Sequence, residues 1–309
     1  MRDAFSSSLI RLAKQDPKVL LLTGDHGYAL FDEFRKLFPS QYINAGIAEQ
    51  NMVGMAAGLA RAGYRPFVYG LSAFIPIRVI EQIKLDVAHD NLPVVFLGDG
   101  AGFVYSHLGT SHQSTEDIAC TRAIPGLSIL SPADRHEMAA CMDVAYASAR
   151  PVYLRMGKAD RGDVHASALL GLQEGKLLQL RETTARDRLA LVATGSMVRT
   201  ALVMVERGLD ASVWSAPYIK PLDMRQVSEV ATSCRGIVVL EEHSVIGGLG
   251  AAVAEALSEY APVRVLRIGV NDRFSQRCGS YFYLLREHGL DDEAVWARIM
   301  GFGASVAHR

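Results

Sequence analysis

Short apolar runs recur along this chain with amphipathic stretches between them, and that alternation restricts the fold more than any other feature. Strand candidates in the first half are Val19–Thr23, Pro66–Tyr69, Val94–Leu97, Leu127–Leu130 and Val152–Arg155. Helix-like stretches lie between them near 3–15, 47–62, 77–89 and 134–148. The second half repeats the pattern, with strands at Leu189–Thr194, Ala211–Ser215, Ile237–Glu241 and Val263–Ile268 and helices near 197–207, 223–233 and 247–259. Strand–helix alternation of this kind means mostly parallel sheets covered on both faces. The chain therefore reads as α/β, two doubly wound domains. Between them, Lys158–Arg188 is mixed in charge, poor in aromatics and without a period, as a linker with short strands or turns would be. The expected division is a first domain at 1–160, a linker at 161–187 and a second domain at 188–309.

The 309 residues suffice for two ordinary domains, and half of them are apolar, so each can hold a core. Lys plus Arg number 32 against 33 acids, which gives no electrostatic case for nucleic acid or an anionic membrane. There is no signal peptide and no long uncharged apolar span. Cys120, Cys141, Cys234 and Cys278 lie far apart and form no C-x-x-C pair, which argues against a disulfide scaffold or a zinc site. These features describe a reduced, cytoplasmic, globular protein.

Parallel sheets place ligands beyond the carboxyl ends of their strands. After the first strand stands Thr23-Gly24-Asp25-His26-Gly27, an acid and an imidazole that form either a site edge or a polar turn. Residues 46–63, GIAEQNMVGMAAGLARAG, carry one acid, Glu49, at the start of a helix otherwise small and apolar. Gly54, Ala56, Ala57, Gly58 and Ala60 there would let a backbone or a ring approach closely. A carboxylate in that setting loses water, which raises its pKa and brings a protonated form within reach of neutrality. Such a group can polarise a nitrogen heterocycle. The plainer reading is an exposed acid favoured by the helix dipole. The next strand runs into Gly70-Leu71-Ser72-Ala73-Phe74, where an aromatic is either core or ligand platform.

Gly98-Asp99-Gly100 ends the third strand, and Tyr105-Ser106-His107-Leu108-Gly109-Thr110-Ser111-His112-Gln113 follows. Two histidines five apart in a polar loop, with no third ligand nearby, suit hydroxyl binding or proton movement better than a metal. In the second half, Thr194-Gly195-Ser196 and the run Glu241-Glu242-His243-Ser244-Val245-Ile246-Gly247-Gly248-Leu249-Gly250 open helices. Exposed amides there could attract anions, but the spacing matches no nucleotide loop.

Taken together, these runs resemble the transketolase family of thiamine-diphosphate enzymes over nearly the whole chain. GIAEQNM resembles the signature of the pyrimidine-binding domain, and Ser111-His112-Gln113 with Glu116-Asp117 and Pro125 resembles the substrate loop. Residues 194–250 resemble the C-terminal domain, whose role in the family is mainly structural. The resemblance implies that Glu49 pairs with the cofactor's aminopyrimidine and favours its imino form. Asp25 would lie close to the cofactor and Phe74 would stack on the pyrimidine. His112 would contact the sugar near the reacting carbons, with His107 and His26 as further substrate contacts. Arg2 and Arg155 match arginines that grip a sugar phosphate.

Departures from the family pattern matter as well. Gly98-Asp99-Gly100 lacks the Asn-Asn that completes a diphosphate and magnesium site, so this chain is expected to hold no metal and no diphosphate alone. Leu108 replaces an aspartate that reads the acceptor's hydroxyl, a loss of roughly 1.5–3 kcal/mol for such a substrate. Ala29 and Gly100 stand where a serine and a histidine assist phosphate binding in relatives. The resemblance thus implies the C-terminal half of a split transketolase. A separate N-terminal subunit would hold thiamine diphosphate and Mg²⁺ in an α2β2 heterotetramer acting on small sugars. The alternatives are the β subunit of a 2-oxo acid dehydrogenase and a non-catalytic scaffold subunit.

Overall fold

A computed structural model describes residues 1–27, 29–157, 161–183 and 188–307. Its two sheets match the two halves of the sequence. In chain order the strands are β1 (Val19–Thr23), β2 (Tyr42–Asn44), β3 (Arg65–Leu71), β4 (Val95–Asp99), β5 (Ser128–Leu130), β6 (Val152–Met156), β7 (Leu178–Arg181), β8 (Leu189–Ala193), β9 (Ala211–Ser215), β10 (Tyr218–Lys220), β11 (Gly236–Ser244) and β12 (Val265–Val270). The helices are α1 (Arg2–Gln15), α2 (Asp32–Leu37), α3 (Glu49–Arg61), α4 (Ile80–Gln82), α5 (Asp117–Arg122), α6 (Arg135–Ala147), α7 (Met197–Glu206), α8 (Met224–Thr232), α9 (Leu249–Tyr260), α10 (Tyr281–Glu287) and α11 (Asp292–Ala307).

The first sheet has the order β10-β5-β6-β4-β3-β1-β2 and the second the order β12-β11-β8-β9-β7. Pairing is parallel except at two edges, where β10 runs against β5 and β7 against β9. Every residue of β1, β4, β6 and β8 is buried, as strands covered by helices on both faces require. In the first half, Phe5, Leu9 and Met138 pack on one face of the sheet, and Met52, Ala56 and Ile83 on the other.

All nine expected strands and six of the seven expected helices are present, while the stretch near 77–89 passes from a 3-10 turn (Ile77–Val79) through α4 into a π-helix (Ile83–Ala88). Three strands lay outside the expectation. β2 and β10 are three residues long, and β7 alternates half-buried and exposed residues at an edge. β7 falls within the expected linker, whose boundary residue 160 and last residues 184–187 lie outside the described residues. β10 belongs in sequence to the second half yet pairs with the first sheet, so the halves interlock.

Buried polar groups fasten them further. Arg155 donates to Asp117 at 2.8 Å and to the carbonyls of Ser114 and Glu242 at 3.2 and 3.1 Å. The Glu242 carboxylate accepts from the Phe103 amide at 2.9 Å and from Tyr281 at 2.5 Å, with Ser196 also bonded. Gly102 (φ +63°) is needed beside it, because a Cβ there would collide with Glu242 Oε1.

Candidate active site

β1, β2, β3 and β4 run parallel and end on one edge of the first sheet. Their exit loops touch, for a Cβ on Gly24 would sit 3.1 Å from the Gly46 carbonyl. An Asn44 side chain bonded to the Gly46 amide at 2.8 Å shapes the turn into α3. Met52, Val53, Ala56, Ala57 and Ala60 form the buried face of α3 and fix its axis, so Glu49 is presented at the edge by the first turn. Gly54 and Gly58 face open space, so the close approach expected there is not made within this chain.

Glu49 is 4 % exposed. Of the two readings of this acid, exposed on the helix dipole or stripped of water, the structure has the buried one. Arg78 Nη1 donates to Glu49 Oε1 at 2.9 Å. The same guanidinium lies over the Phe74 ring, 4.1 Å from its centroid. A planar group with N–H donors is thus stacked on Phe74 and bonded to Glu49. Phe74 also meets His112 edge-on, with centroids 5.3 Å apart, and His26 at 6.3 Å. His26 is half-buried, and among the described residues its Nε2 has no hydrogen-bond partner. Asp25 is exposed beside it. Glu49 from the first turn of α3 and Phe74, His26 and His112 from three loops therefore converge. Arg78 completes the group, and sequence reasoning missed it. Its signal was its place four residues after Phe74.

Other expected residues lie elsewhere. His107 is exposed on the turn 106–108, and among the described residues no hydrogen bond or ring contact joins it to Phe74, His26 or His112. Arg155 corrects the expectation of a phosphate grip. At 4 % exposure it pairs with Asp117, and moving it to a substrate would strand that carboxylate in the core. Arg2 is also spoken for. Its guanidinium contacts Asp99 at 2.5 Å and the Tyr105 hydroxyl at 2.8 Å, while Tyr69 and Tyr105 each donate to Asp99 at 2.8 Å. Burial and the adjacent Asp99 push the Tyr105 hydroxyl up to about 12, so it remains a donor. Tyr105 fills the space over Gly100, where a Cβ would collide with its ring. The central residue of Gly98-Asp99-Gly100 is thus an internal ion-pair partner.

Family models extend what the geometry suggests. The transketolase pyrimidine binding domain matches residues 1–162, and the transketolase C-terminal domain matches residues 175–295. This chain belongs to the transketolase family. It is 35 % identical over 306 residues to an apulose-4-phosphate transketolase subunit of Phocaeicola vulgatus, covering 97 % of this chain and 96 % of that one. It is 35 % identical over 302 residues to a 6-deoxy-6-sulfo-D-fructose transketolase subunit of a Clostridium species, covering 96 % and 92 %. A solved structure described as a split gene transketolase in an inactive beta4 tetramer superposes with a TM-score of 0.86. That match has 34 % identity and covers 97 % of this chain and 96 % of the other. The chain is a transketolase subunit of the split type, and subunits of this type work with a separate partner. No helix among the described residues is long and apolar enough to cross a membrane.

Proposed function

We propose that this subunit supplies the pyrimidine side of a shared thiamine-diphosphate site. With its partner it transfers a two-carbon ketol unit from a ketose donor to an aldehyde or an atypical carbonyl acceptor. Glu49 carries this reading: a carboxylate 4 % exposed at a sheet edge, holding a planar nitrogen group that is stacked on an aromatic ring. An aminopyrimidine makes the same two demands, a ring face and an acid at a ring nitrogen, so the residues fit the group. Arg78 is about half-exposed and can withdraw to solvent when the heterocycle takes its place.

When bound, the cofactor supplies a stabilised carbanion for breaking and making carbon–carbon bonds. Glu49 would hold the proton at the ring nitrogen, and Phe74 would set the ring's plane. His112 and His26 would bind hydroxyls and move protons at the reacting carbons, and Asp25 and His107 would line the approach. Asp99 is bonded to Arg2, and the chain has no Asn-Asn pair. The diphosphate and Mg²⁺ therefore fall to the partner in an α2β2 assembly. Four separated free thiols suit a reducing cytoplasm. We place the domains at 1–160 and 188–309, with β7 in the linker joining the second sheet and β10 crossing to the first.

The acceptor differs from an ordinary sugar phosphate. Leu108 is 56 % exposed on the substrate-loop turn and accepts no hydrogen bond from a hydroxyl. Arg2 is neutralised by Asp99, which weakens any phosphate grip at that place. Relatives named for apulose 4-phosphate and for a sulfosugar lend weight to a non-standard substrate. The test is Glu49→Gln in the reconstituted pair, with hydroxypyruvate and pyruvate compared as donors. Expected are ketol transfer from hydroxypyruvate and a fall of at least about 100-fold in turnover for the variant. Unchanged turnover would support a scaffold role, and preference for pyruvate would support a 2-oxo acid dehydrogenase.

A further inference from the structure

The loop that carries His112 is gripped by the second domain. Reciprocal amide–carbonyl bonds of 2.9 Å between Gly102 and Ser114 close this loop. Gln113, next to His112, turns inward and is 5 % exposed. The Ser275 hydroxyl donates to Gln113 Oε1 at 2.8 Å and lies 2.9 Å from His288 Nε2. His288, 4 % exposed, stacks on Phe103 at the loop's other end, with centroids 4.7 Å apart. Two side chains of the second domain therefore hold both arms of the loop.

Counting protons fixes the direction of this relay. A serine hydroxyl has one proton, and here it goes to an amide oxygen that has none to give. Towards His288 the serine oxygen must therefore accept, so the imidazole proton sits on Nε2. Burial, with Arg273 nearby and Glu287 opposing, lowers the pKa of His288 and keeps the ring neutral. Nδ1 is then a bare acceptor. Among the described residues, His288 Nδ1 and Gln113 Nε2 are both buried without a partner, and both residues line a cavity of about 60 Å³ between the domains. A hydroxyl satisfies both, accepting from the amide and donating to the imidazole. A fully deprotonated anion has no proton to donate to Nδ1, and Glu116 and Arg273 on the cavity wall offset one another in charge.

We propose that Ser275 and His288 position the His112 loop through Gln113, and that one hydroxyl group in the interdomain cavity completes the relay. The second domain thereby takes part in the site as well as in assembly. The idea rests on the reading of His112 as a substrate contact, so its test has one arm independent of turnover.

In the full chain, hydrogen exchange across 103–113 should quicken about fivefold or more in Ser275→Ala and His288→Phe, while β1 exchanges as before. His288→Gln restores a donor to Ser275 but not the ring on Phe103, so near 113 it should exchange more slowly than His288→Phe. In the reconstituted pair, the first two variants should lose about tenfold in kcat, with the donor KM within about twofold. A native acid limb is expected as well, because a proton on Nδ1 would face the Gln113 amide protons; it should vanish in His288→Gln. Glycerol slowing native exchange, but not that of His288→Phe, would name a ligand hydroxyl as the occupant, and no effect would name water. Native exchange in both Ser275→Ala and His288→Phe would overturn the relay, as would a loosened loop with native kcat. A native pair unable to transfer a ketol unit would defeat the functional reading instead, with the exchange result still judging the relay.

Discussion

Two acid–arginine pairs in this molecule have nearly the same length and opposite character. Glu49 and Arg78 meet at 2.9 Å, and Asp117 and Arg155 at 2.8 Å. Both carboxylates are buried, but the Arg78 side chain is 45 % exposed and that of Arg155 only 4 %. The exposed arginine can leave for water when another donor takes its place on Glu49. The buried one cannot, because its departure strands the Asp117 carboxylate in the core. Burial of the cation separates an exchangeable placeholder in a binding site from a fastener between domains.

The largest effect is expected at the fastener. Asp117→Ala leaves Arg155 charged and unpaired and should cost about 3–5 kcal/mol in urea unfolding. Glu49→Gln should stay within about 1 kcal/mol in the same assay. Equal losses at the two sites would break the comparison.

A middle effect concerns the acceptor. Leu108→Asp restores a hydrogen-bond acceptor on the substrate loop. It should improve kcat/KM for an acceptor with a neighbouring hydroxyl by about 1.5–3 kcal/mol relative to one without, measured by competing the two. No change in preference would place the turn away from the substrate.

Smaller again is the placeholder itself. Arg78→Gln removes a competitor for Glu49 and should tighten cofactor binding to the pair by up to about 1 kcal/mol, read by titration calorimetry. Weaker binding would show that Arg78 holds the cofactor.

The smallest effects are pH slopes. Burial lowers the pKa of His165, but Glu137 at 2.8 Å outweighs it and the net shift is upward. A raised folded-state pKa gives stability that is full below the ordinary histidine value of about 6.5. It is lost as pH rises through the folded value. His288 is shifted down, so its contribution is present above about 6.5 and lost as pH falls. Melting curves should therefore lose their alkaline slope in His165→Gln and their acid slope in His288→Gln.

Sequence alone revealed the strongly patterned parts. β1 and β9 have the expected limits: β1 opens on the unbroken apolar run Val19–Leu22, and β9 is a short run, Ala211–Ser215, that ends before Pro217. β2 and β10 are too short to carry a pattern, and β10 pairs with a sheet from the other half of the chain. Glu49, Phe74 and His112 were legible as motif residues, and the structure brings their side chains together. Arg78 was not, since its role depends on which way a long side chain folds back. Arg155 was misjudged for the opposite reason. A guanidinium at a strand end suits a phosphate equally well until Asp117 is seen against it. The Gln113–Ser275–His288 contact spans the two domains and has no local signature.

The central claim is that the cofactor site is divided between two chains. Titration of thiamine diphosphate with Mg²⁺ into this subunit alone, and into the reconstituted pair, tests it most directly. The account predicts no saturable binding by the isolated subunit and tight binding by the pair. Tight binding by the isolated subunit would contradict it.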